Sequence, residues 1–143
     1  MAPDDAAEVS KLNAAMPLHV NAKVADALND EGRAIKGSKI LLLGVAYKPN
    51  VHDTRESPSL EVMRQLLQRG AELTYCDPWV PEVELDGVTH TSVDWSADAV
   101  AGADCVVMLA AHREFVADPY WRDAKLLVDT RNVSGDGPGV WKI

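Results

Sequence analysis

A chain of 143 residues, 47% of them hydrophobic, has enough apolar material for one ordinary core, so one compact domain is expected rather than a two-domain enzyme. Its formal charge of -8 argues against nucleic acid and anionic membranes as partners, since both are bound through an excess of Lys and Arg. Any anionic ligand must therefore be met by a local cluster of cations.

Taken in chain order, Val9, Leu12, Met16, Val20, Val24 and Leu28 fall three or four apart and form a helical stripe. Pro17 is expected to end one helix and open the next, and Gly32 and Gly37 bracket the exit. Such a stripe must lie on something, either its own domain, another domain or another copy of the chain. From Lys39 onward the pattern changes to strands alternating with helices, as in a parallel sheet covered on both faces. The fold class expected is α/β, a Rossmann-like doubly wound parallel sheet of about five strands, preceded by an N-terminal helical segment. The division expected is a helical segment over residues 1–36 and an α/β domain over residues 37–143.

The wholly apolar run 40–45 suits a central strand. A helix follows with Ser57 as N-cap and Pro58 in its first turn, turns Leu60, Met63 and Leu67 inward, and stops at Gly70. Residues 72–76 form the next strand, ended by Asp77 and Pro78. Residues 88–91 read as a weaker third strand of the sheet, and 95–101 as a short helix. Residues 105–110 and 126–129 supply the last two strands, with an irregular helix over 114–123 between them. The Gly-rich tail 135–139 is expected to be mobile. Cys76 and Cys105 fall within strands without ligand-spaced neighbours and read as buried thiols. Trp79, Trp95, Trp121 and Trp141 read as packing or turn anchors. The N-terminus is acidic with no signal core, and the run 40–47 is too short to cross a bilayer, so a cytoplasmic protein is expected.

In an open α/β sheet, ligands bind beyond the carboxyl ends of the strands where the strand order reverses. The loop between residues 45 and 57 is long for a strand-to-helix turn, which usually takes about 2 to 6 residues. It is no dinucleotide fingerprint, because Gly44 stands alone without G-x-G-x-x-G. It carries instead an aromatic ring, Tyr47, and two cations, Lys48 and Arg55, near the positive end of a helix. That set can stack a base or cover a ribose while neutralising phosphate. Equally, Lys48 can be solvated and Arg55 paired with Asp53 or Glu56. Arg131, leaving the last predicted strand, can meet a phosphate bidentately or pair with a neighbouring acid. His112 reads as a capping or packing residue. Asp53 and Asp77 follow different strands, with no evident reason to converge.

The run 39–58, KILLLGVAYKPNVHDTRESP, closely resembles the opening of the UDP-binding domain in the UDP-glucose/GDP-mannose dehydrogenase family. Gly70 and Ala71, Asp77 and Pro78, Ala103 and Asp104, and the run 129–132 extend the likeness, which covers about residues 13–133. The resemblance implies an enzyme that oxidises a sugar C6 alcohol to a carboxylate in two NAD-dependent steps through a cysteine thioester. It also implies a Rossmann domain and catalytic cysteine lying outside this chain, a central helix through which homodimers form, and a role in cell-surface polysaccharide synthesis. By that resemblance Tyr47, Lys48 and Arg131 contact the UDP-sugar, Arg55 reaches NAD across a domain interface, and this chain alone has no catalytic residue. The wording AYKPNVHDTRESP is more like members acting on UDP-N-acetylhexosamines. The alternative readings are a dimerisation module and a non-catalytic nucleotide-binding regulatory module. The opening Met1, Ala2, Pro3 is compatible with an expressed fragment, a truncated gene product or half of a split enzyme.

Overall fold

The computed structural model describes residues 3–45, 58–135, 137 and 139–142, with side chains from Pro17 onward. Helix α1 (Pro3–Asp30) leads to strand β1 (Lys39–Leu43), then α2 (Pro58–Gln68) and β2 (Glu72–Cys76). A hairpin of β3 (Glu82–Leu85) and β4 (Val88–Thr91) follows, then α3 (Ala97–Ala101), β5 (Cys105–Met108) and α4 (Arg113–Ala117). A 3-10 turn (Tyr120–Asp123), β6 (Leu127–Asp129) and β7 (Val140–Lys142) complete the order. Five strands form one parallel sheet in the order β2-β1-β5-β6-β7.

Strand alternation explains why apolar runs can occupy these positions. Along β1, Ile40 and Leu42 join the layer of α1 and α2, while Leu41 and Leu43 join the layer of α3, α4 and the 3-10 turn. β5 repeats the pattern, with Cys105 and Val107 on the first side and Val106 and Met108 on the second. A strand buried on both faces can carry no polar alternation, and β5 is buried at every position. α2 ends where expected: Gly70 takes φ +88, and Gly70 and Ala71 donate to the carbonyls of Leu67 and Leu66.

Two expectations need correction. α1 runs unbroken through Pro17. An interior proline costs about 3 kcal/mol, but Val20, Val24, Ala27 and Leu28 are fully buried beyond it. Each large apolar side chain so buried returns about 1.5–3 kcal/mol, enough to hold the helix on. The stripe therefore lies against its own sheet and α2 from Val20 onward; Val9, Leu12 and Met16 fall outside the residues whose side chains are described.

Residues 88–91 are not a strand of the main sheet but the second arm of an antiparallel hairpin. The cause is the Asp86–Gly87 pair: both take positive φ, 51 and 82, the requirement of a two-residue turn that folds one strand back on another. The chain returning from this hairpin lies along β2, where the Val93 amide donates to the Tyr75 carbonyl. The fifth strand is β7, which begins directly after the segment expected to be a mobile tail and pairs with β6.

Candidate functional site at the carboxyl ends of the strands

From β1 the chain moves outward to β2 and then crosses back to β5, so the strand order reverses between β1 and β5. That junction is where a doubly wound sheet opens a ligand crevice. Gly44 and Ala110 close its floor. The Gly44 amide donates to the Cys76 carbonyl, and the amides of Leu109 and Ala110 both reach the Leu43 carbonyl at 2.9 and 3.1 Å. At φ +87, a Cβ on Gly44 would sit 2.5 Å from that of Ala110. The freedom of this glycine is thus spent on strand-to-strand contact.

Arg131 reaches this junction from β6, one strand beyond β5. Its Nε donates to the Leu109 carbonyl at 2.7 Å, at the end of β5. Its Nη groups have no partner among the described residues. A guanidinium is planar, so fixing Nε fixes the fork formed by the two Nη groups. Of the two readings open for this residue, the pairing with a neighbouring acid is not the one adopted: the side chain takes a carbonyl, and only the backbone amide goes to Asp129.

Asp129 shapes the turn that presents Arg131. It is fully buried, and its Oδ1 accepts the Arg131 amide at 2.9 Å while its Oδ2 accepts the Ser134 amide at 2.8 Å and the Ser134 hydroxyl at 2.6 Å. Burial alone pushes this carboxyl up, but the donors of Ser134, Arg131 and Asn132 outweigh it and hold it below the ordinary carboxylate range. Asn132 accommodates the bend at φ +57, a conformation asparagine tolerates better than most residues.

Asp77 is a second buried carboxylate at the same rim, paired with the buried ring of His112. Its Oδ2 accepts the Val45 amide at 2.8 Å and lies 3.0 Å from His112 Nε2, while its Oδ1 accepts the Trp79 amide at 2.8 Å. Burial again pushes the carboxyl up, and the His112 and backbone donors bring it net below the usual range. Asp77 follows β2 and His112 follows β5, and β1 lies between those strands. The sequence offered no reason for the two to meet because separation along the chain hides that order. His112 also packs as expected, 5.5 Å between ring centroids from Phe115, with its carbonyl accepting the Phe115 amide.

Tyr47, Lys48 and Arg55 lie outside the described residues, as do Ser57 and Asp53. Among the described residues, no group of three or more His, Cys, Asp or Glu is placed to hold a metal ion. Cys76 and Cys105 are buried free thiols, each pushed up to about 12 chiefly by burial. The indole N–H groups of Trp79, Trp95 and Trp121 bond to Glu114, Asp118 and Phe115, as anchors do. A cleft of about 630 Å³ opens at the other end of the sheet, along Lys39, Glu72 and α3. Glu72, Asp94 and Asp98 line it, an unfavourable wall for a diphosphate.

The UDP-glucose/GDP-mannose dehydrogenase family, UDP binding domain, matches residues 41–136 of this chain. A UDP-N-acetyl-D-mannosamine dehydrogenase of Methanococcus maripaludis is 39% identical over 105 residues, covering 73% of this chain and 23% of the relative. A UDP-glucose 6-dehydrogenase of Rhizobium meliloti is 36% identical over 110 residues, covering 71% of this chain and 25% of the relative. The solved UDP-D-ManNAc dehydrogenase of Pyrococcus horikoshii superposes with a TM-score of 0.76 at 26% identity, covering 93% of this chain and 32% of that one. The chain thus spans about a quarter to a third of the length of these relatives. With its parallel sheet, its strand-end junction and a family match running from β1 past Arg131, this chain belongs to the UDP-glucose/GDP-mannose dehydrogenase family, as a UDP binding domain.

Proposed function

We propose that this domain grips a UDP-sugar for an NAD-dependent nucleotide-sugar 6-dehydrogenase, with the diphosphate across the ends of β1, β5 and β6. Arg131 and Lys48 neutralise it, and Tyr47 covers the base or ribose. The observation that carries this reading is the tether from Arg131 Nε to the Leu109 carbonyl, which holds a guanidinium fork beside the point where the strand order reverses. In a chain of net charge -8, a prefixed cation at the ligand crevice is a specific feature. The names of the relatives favour a UDP-N-acetylhexosamine as the sugar.

UDP is remote from the carbon that is oxidised, so this domain contributes binding energy that positions the sugar. Oxidation of the C6 alcohol to the carboxylate belongs to a partner Rossmann domain, which holds most of the NAD and the catalytic cysteine. Arg55 contributes one contact to that cofactor, and the chain alone is inactive. Homodimerisation, a cytoplasmic setting and a role in polysaccharide synthesis complete the proposal. Among the described residues, no helix is long and apolar enough to cross a membrane.

Calorimetric titration of the chain with UDP tests the reading. Weak binding is expected, and Lys48→Ala or Arg131→Ala should each cost about 1.5–3 kcal/mol, the range for hydrogen bonds to charged groups. That corresponds to about a ten- to a hundredfold loss of affinity. A Lys48→Ala, Arg131→Ala double variant that binds UDP as well as the parent would overturn it.

A further inference from the structure

The pair formed by Asp77 and His112 is not explained by stability alone. Burying a carboxylate costs several kcal/mol before its partners repay it, and apolar replacements of buried pairs are often no less stable. What a buried pair can do better than an apolar contact is hold groups in one register. Here one carboxylate oxygen takes the Val45 amide at the exit of β1 and His112 Nε2 at the exit of β5, so it ties together the two strands that flank the junction. His112 stands three residues beyond Leu109, whose carbonyl receives Arg131 Nε. The contacts thus form a continuous line: Asp77, His112, the exit of β5, the Leu109 carbonyl, the Arg131 guanidinium.

We infer that Asp77 and His112 are positioning residues for nucleotide binding, which fix the exit of β5 so that the Leu109 carbonyl holds the Arg131 fork ready for a nucleoside diphosphate. The inference rests on the proposed function above. A fork held ready in one orientation loses nothing on binding, whereas one that is competent a tenth of the time binds about tenfold more weakly. The histidine acts through its Nε2 contact with Asp77, so a side chain that keeps a nitrogen donor at that reach should keep the effect. Glutamine does this and leucine does not.

The test is a double-mutant cycle read by calorimetric UDP affinity on the full chain, with the thermal midpoint of each variant recorded alongside. His112→Leu should weaken UDP about tenfold when Arg131 is present and by less than about threefold in an Arg131→Ala background, because its effect passes through that side chain. His112→Gln should retain affinity within about threefold of the parent, even if it shares the lower thermal midpoint of His112→Leu. Equal losses in the two backgrounds, a small loss with Arg131 present, or no rescue by glutamine would each overturn the inference. If His112→Leu does not fold, the isosteric Asp77→Asn carries the same expectation. If the parent chain fails to bind UDP, the proposed function falls by itself, and positioning is then read from exchange of the Arg131 Nε–H by NMR. Faster exchange in His112→Leu than in His112→Gln upholds positioning, and equal exchange ends it.

Discussion

Asp77 and Asp129 sit at the same rim of the same sheet, both buried, both short of water and both satisfied by three or more donors, yet they organise different amounts of structure. Every donor to Asp129 comes from the five residues that follow it: Arg131, Asn132 and Ser134. Among the described residues, Asp77 draws its donors from three separate segments, the exits of β1 and β5 and its own turn. One carboxylate folds a loop, and the other joins strands. The lesson is that burial and hydrogen-bond count do not measure the reach of a polar group; the chain separation of its partners does.

Substitutions can break or sharpen this contrast. Asp77→Ala should have the largest effect, a loss of about 3–5 kcal/mol in urea unfolding, because it strands a buried imidazole as well as two amides. Asp129→Ala should cost less, about 1.5–3 kcal/mol, and its damage should be local, with weaker UDP binding through the loosened Arg131 turn. An Asp129→Ala loss as large as that of Asp77→Ala would erase the distinction.

Acid gives a smaller, graded version of the same test. Both carboxyls hold their protons less tightly folded than unfolded, so in acid the unfolded chain binds more protons than the folded one. Their contribution is complete above the unfolded value of about 3.9 and is lost as pH falls through the lower folded values. The thermal midpoint should therefore drop as pH falls below about 4, and drop less in Asp129→Asn. At the small end, Val116→Ser alters a residue 56% exposed and should change stability by no more than about 0.5 kcal/mol.

Much of this fold was legible in the chain. β1, β2, β5 and β6 follow from apolar runs, and α2 from its proline start and Gly70 stop. Hairpin β3–β4 was legible too, in Asp86–Gly87, but residues 88–91 taken alone read as one more strand of the sheet. β7 carries no such run, since its three residues are all only part-buried, and its pairing with β6 is a tertiary effect. At the site, Arg131 was legible because an arginine just past a strand has few destinations. Asp77 and His112 were not, because they are 35 residues apart and meet only through the order β2-β1-β5.

The placement of the two cysteines has a practical consequence. Cys76 faces the layer of α3, α4 and the 3-10 turn, and Cys105 faces the layer of α1 and α2. Both are protonated and enclosed at neutral pH, so an alkylating reagent can reach either sulfur only when its own layer lifts from the sheet. The ratio of label at the two positions therefore reports which side of the sheet opens first, in the natural sequence and without an added probe.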